Sequence, residues 1–249
     1  MSVFFSGLSS LTIAIPTLLI GLHLMFDARK SIGTRRTAAL FGSLAGFCHF
    51  VAYGTWAVRS LAIDPMAGVA IVMPWTLTHG VFVAIGGFFL PFWTITATHP
   101  EFFVKHKWVA ILPIITTLLM VAVTIIGSLQ ATETVVMNFV TDLGVNMTTS
   151  IGSLFGLLAL INTFFFLCLT PPLVFFLFYR RNRGTTAGRN SLIIALGFLF
   201  NAFAFFGTFF VRTAPGVSYE GIILNFVLAT TWLVIYYFYC IAGGIWKTD

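Results

Sequence analysis

A chain of 249 residues that is 59% hydrophobic and only 8% charged cannot hide its apolar side chains in a water-soluble core, since soluble domains carry roughly 25% charged residues. The mean hydropathy of +1.01 points the same way: the chain reads as an all-α, polytopic membrane protein whose first partner is the lipid bilayer. Its net charge of +6 therefore belongs to loops beside a membrane, and a nucleic-acid-binding surface is excluded.

A spanning helix needs about 20 mainly apolar residues. Seven runs reach that length: 4–26, 38–63, 66–96, 109–129, 151–179, 191–211 and 221–245. The N-terminus, MSVFFSGLSS, lacks the basic region of a cleaved signal, so the first run is expected to remain as a helix. Runs three and five are long enough to tilt or to extend beyond the lipid. The whole chain is thus expected to form a single seven-helix transmembrane domain.

The connections orient the bundle. Arg29, Lys30, Arg35 and Arg36 follow the first run, Lys105 and Lys107 the third, and Arg180, Arg181, Arg183 and Arg189 the fifth. With Lys247, alternate connections hold eleven of the thirteen basic residues, and the other side keeps Arg59 and Arg212. Basic loops stay in the cytoplasm. The rule therefore places the N-terminus outside and the C-terminus in the cytoplasm, and the protein is expected in the cell (plasma) membrane. The one long connection, 130–150, falls outside and carries the sequon Asn146-Met147-Thr148. Near-helical spacing of its apolar residues suggests an interfacial helix over 134–143.

Lipid gives helices little hydrophobic reason to associate, so small residues must let backbones approach. Gly42-xxx-Gly46 and Gly152-xxx-Gly156 have the required spacing, and Gly86-Gly87 and Gly243-Gly244 add smooth faces. The alternative reading is that glycine is simply common in membrane helices. Pro91, Pro113 and Pro171-Pro172 remove backbone donors and are expected to bend their helices. The 29 phenylalanines read as packing and lipid-facing surface, and the six tryptophans fall largely near run ends, where indoles favour the interface. Cys48, Cys168 and Cys240 lie inside apolar runs without metal-ligand spacing and read as reduced core residues.

No Asp, Glu, Lys or Arg sits deep in a run, and the last run has no lysine for a retinal Schiff base. Intramembrane ionisable groups mark proton and ion paths, so a pump or proton-coupled carrier is disfavoured. Motifs such as HExxH, GxSxG and CxxC are also missing from the sequence, and no catalytic residues are assigned.

Two histidines break the pattern. His49 stands in GFCHFVAYGTW and His79 in PWTLTHGV, each near the middle of its run, and the turn at Asp64-Pro65 makes their helices neighbours. Placed at one depth, two neutral imidazoles would ligate a haem iron axially, as in a haem b site, or bind copper. Equally, each ring would serve packing by donating to a carbonyl or to Thr76, Thr78, Asn162, Asn201 or Asn225. A third reading is a polar ligand pocket lined by Asn162, Asn201 and Asn225. His23 reads as interfacial, and His99, Glu101 and His106 as solvated loop residues.

The leading functional expectation is an integral membrane subunit of a larger complex, without a complete active site of its own, binding haem, metal or quinone near His49 and His79 within a membrane oxidoreductase. The alternatives are a seven-helix sensor or receptor-like protein acting through a partner chain, and a channel or carrier for a neutral solute.

Overall fold

The structure, a computed structural model, describes residues 2–63, 69–129, 164, 168–211, 219–242 and 244–246. Long apolar stretches with few interruptions must satisfy their own backbone groups in lipid, and helices do so. The principal helices are α1 (Ser2–Lys30), α2 (Gly33–Ala62), α3 (Val69–Thr98), α4 (Ile111–Leu129), α5 (Thr170–Arg181), α6 (Thr186–Val211) and α7 (Tyr219–Tyr236). A π turn, Tyr237–Ile241, extends α7, and a single helical turn, Phe102–Lys105, follows α3. No strand occurs among the described residues.

Five segments are long and apolar enough to cross a membrane: Gly7–Lys30, Gly33–Ala62, Met73–Thr98, Thr186–Ala204 and Ile223–Ile241. They coincide with predicted runs one, two, three, six and seven. The fourth run corresponds to a shorter apolar stretch, Lys107–Leu119. Most of the fifth run lies outside the described residues, as do the 134–143 segment, the sequon and Gly152-xxx-Gly156. The chain is thus a multi-pass helical membrane protein with five candidate crossings among the described residues.

Helix neighbours form a closed circuit. α1 packs on α2, α2 on α3, α3 on α5, α5 on α6, α6 on α7, and α7 returns to α1, while α4 packs outside on α3. The Gly42-xxx-Gly46 stripe makes the α1–α2 joint. A Cβ on Gly46 would lie 2.7 Å from Gly21 N and 2.8 Å from Thr17 O, so two backbones meet there. Ser43 Oγ crosses the same joint to donate to Gly21 O at 2.9 Å.

The centre of the circuit is filled by aromatic rings. Phe198 of α6 stands 6.1 Å from Trp93 of α3, 6.1 Å from Trp232 of α7 and 5.8 Å from Phe175 of α5, and Trp93 meets Tyr239 edge-on at 5.0 Å. These five side chains are buried. Two indoles near run ends, Trp56 and Trp93, are instead core residues at 2% and 0% exposure, as is the mid-run Trp232 at 3%, whereas Trp108 is exposed. An indole near a helix end in sequence can still face inward, because neighbouring helices decide which side is lipid. Pro171 and Pro172 lie in the first turn of α5, directly after the π-helical residues Cys168 and Leu169, so they stand where a π turn passes into regular α-helix. Cys48 and Cys168 are buried free thiols, and Cys240 is half-buried.

The basic connections converge at one end of the bundle. Arg35 bridges Asp27 at 2.8 Å across the α1–α2 turn and stacks over Trp246 at 6.0 Å. Asn190, at the start of α6, donates to Ala242 O and Gly244 O at 3.3 and 3.2 Å, holding the chain after α7. His99, at the end of α3, lies close enough to Arg181, at the end of α5, to feel its charge.

Candidate functional site

The His49 ring folds back along α2, and its Nδ1 donates to Ala45 O at 2.8 Å, one turn earlier. A carbonyl only accepts, so that nitrogen carries the proton and Nε2 of the neutral ring holds the lone pair. The ring is 8% exposed. It lies 5.3 Å from Trp232 of α7 and fills the space left by Gly86 of α3, where a Cβ would come within 2.6 Å of Nδ1. Glycine at 86 is therefore required by the close approach of the imidazole. His49 joins α2, α3 and α7 at the edge of the aromatic centre.

The His79 ring is half-buried and spans two helices. Its Nδ1 donates to Ala52 O of α2 at 2.8 Å, and Trp56 and Tyr53 lie 4.8 and 5.7 Å from it. Tyr53 also stacks on His49 at 6.4 Å. The two anchoring carbonyls, Ala45 O and Ala52 O, are seven residues apart on α2, or about 10 Å along the axis. The rings therefore occupy different levels, and Gly86 rather than His79 is what α3 presents to His49.

This geometry does not suit one iron or copper between the two rings, since metal–imidazole bonds are about 2.0–2.1 Å each. No group of three or more His, Cys, Asp or Glu gathers among the described residues. A quinone carbonyl would need a ring donor, whereas both Nδ1–H groups are already spent on the backbone.

Asn201 and Asn225 do not share a hydrogen-bond partner. Asn201 Nδ2 donates to Thr231 Oγ1 at 3.1 Å, tying α6 to α7. Asn225 Nδ2 donates to Ser9 Oγ at 3.0 Å, tying α7 to α1. Asn162 lies outside the described residues. Between α6 and α7 runs an open apolar groove of about 540 Å³, lined by Leu196, Gly197, Phe200, Ile223 and Phe226 among others. Its threonines, Thr230 and Thr231, donate to Phe226 O and Leu228 O at 2.9 and 2.8 Å.

Arg59 is a residue that its place near a run end hides from a sequence-based search. It is 5% exposed and rests over the Trp56 ring at 4.9 Å. The signal in the sequence is an arginine three residues after a tryptophan inside an apolar run, a spacing that stacks the two on one helix face.

None of the protein-family models, curated proteins or solved structures compared with the chain matches it. The class of the molecule, a multi-pass helical membrane protein, therefore rests on the helices themselves.

Proposed function

We propose that the chain is an integral, non-catalytic subunit of a larger membrane complex, crossing the plasma membrane seven times with its basic loops in the cytoplasm. One observation carries this reading: the centre of the helix circuit is plugged by interlocking aromatic rings, with Phe198 touching Trp93, Trp232 and Phe175. A carrier or channel needs a path, whereas among the described residues the centre of the bundle holds closely packed side chains.

The intramembrane polar groups support the same reading. His79, Ser43, Ser191, Asn190, Asn201 and Asn225 each donate across a helix joint or to a distant turn. Groups able to bind a solute are used to hold helices together. Histidine acts here as a tether, and the haem, metal and quinone readings draw no support from the geometry.

The test is mild extraction from native membranes followed by native mass measurement. A particle containing this chain and a second polypeptide at fixed stoichiometry is expected. A homogeneous particle of this chain alone, which carries out solute flux in liposomes, overturns the proposal in favour of a carrier.

A further inference from the structure

Burying an arginine in a membrane bundle is costly unless an anion or acceptor meets it. Arg59 is 5% exposed, and its Nε–H finds no acceptor among the described residues. The ion pairs among those residues, Arg35–Asp27 and Lys105–Glu101, involve the opposite end of the bundle. Trp56 covers one face of the guanidinium at 4.9 Å, which leaves the in-plane N–H groups to an acceptor.

Arg59 lies in the last turn of α2, which ends at Ala62. That position is one turn from the helix end, and in a helix that spans the bilayer such an end lies toward the headgroups. The carbonyl end of the helix dipole offsets part of the cost, but it supplies no acceptor for Nε–H. The guanidinium fork matches a phosphate or carboxylate in geometry and charge.

We propose that Arg59 forms an anion site at the C-terminal end of α2 that takes a phosphate group. The phosphate comes from an anionic lipid headgroup or from a free phosphorylated solute, and the site does not depend on the chain being a complex subunit. The experiment uses the full chain in detergent. Thermal unfolding is followed while inorganic phosphate replaces chloride at constant ionic strength, and native mass spectra record retention of phosphatidylglycerol against phosphatidylcholine.

A rise of several degrees in the unfolding midpoint with phosphate, lost in Arg59→Gln and kept in part in Arg59→Lys, supports a free-solute site. Preferential retention of phosphatidylglycerol by at least severalfold, lost in Arg59→Gln, supports the headgroup source. A wild-type chain indifferent to both probes overturns the proposal and leaves the cation to a carboxylate of the chain or of a partner. That last readout needs no variant, so a poorly folding Arg59→Gln does not prevent the proposal from being refuted.

Discussion

Replacing His79 by Phe keeps the bulk of the ring against Trp56 and removes the Nδ1–H that reaches Ala52 O on α2. Interhelix hydrogen bonds in membranes average about 0.6 kcal/mol and reach about 1.7. His79→Phe is therefore expected to lower stability in a detergent-unfolding titration by about 0.5–2 kcal/mol. His49 makes its bond within its own helix, so His49→Phe is expected to cost less than His49→Ala. The alanine opens a cavity between Gly86 and Trp232, which costs about 2–5 kcal/mol. A visible haem band in purified protein, lost in His79→Phe and in His49→Ala, would contradict this account of the two rings. Outside the membrane segments, burial first and the Arg181 charge second push the His99 imidazole below its ordinary pKa. Folding thus favours its neutral form, and the unfolded chain binds the extra proton. Stability from this group is present above the unfolded value near 6.5 and falls as the pH drops through it. Unfolding midpoints measured from pH 7.5 to 5 are expected to decline, and His99→Gln is expected to flatten the decline. At this scale the sequence identifies the unusual histidines but not their acceptors. Every residue offers the same backbone carbonyl, and only packing selects Ala45 O and Ala52 O.

Helix joints make a sharper contrast between equivalent-looking residues. Gly46 and Gly54 both stand on α2, yet a Cβ at 46 meets the backbone of α1 at 2.7–2.9 Å, and one at 54 meets nothing within 4 Å. Gly46→Ala must push α1 away from α2 and is expected to destabilise by about 1–3 kcal/mol. Gly54→Ala is expected to stabilise by about 0.5–1 kcal/mol, because alanine restricts the unfolded chain and favours helix. Equal effects of the two substitutions on unfolding would remove the α1–α2 joint described here. The spacing of Gly42 and Gly46 is legible in the sequence as a contact stripe, whereas its target is not. The tryptophans show the limit of position as a guide. Position along its run puts Trp56 in an interfacial belt, yet it lies buried beside His79, since the direction of a side chain around a helix depends on which neighbours it has.

For the molecule as a whole, the aromatic centre predicts how the circuit of helices fails. Trp232→Ala removes the ring shared by His49 and Phe198 and is expected to cost about 3–5 kcal/mol, read as a lower unfolding midpoint. New solute flux in liposomes without loss of stability would argue for a gated path instead. The proposed orientation is tested by Arg183→Cys, an exposed position in the basic end. A membrane-impermeant maleimide should label it only after cells are opened, and labelling of intact cells would reverse the orientation. Composition and run length alone determined that lipid is the solvent and that helices are the solution, because apolar side chains and unsatisfied backbone groups leave a chain in hydrocarbon no other choice. The order of basic and apolar segments was equally readable, since charge and hydropathy are properties of residues taken one at a time. What only the tertiary structure decided is which residues meet: the two-turn offset of His49 and His79, the division of Asn201 and Asn225 between different joints, and the burial of Arg59. Those depend on helix rotation and register, which are set by the summed packing of neighbours and by no local run of sequence.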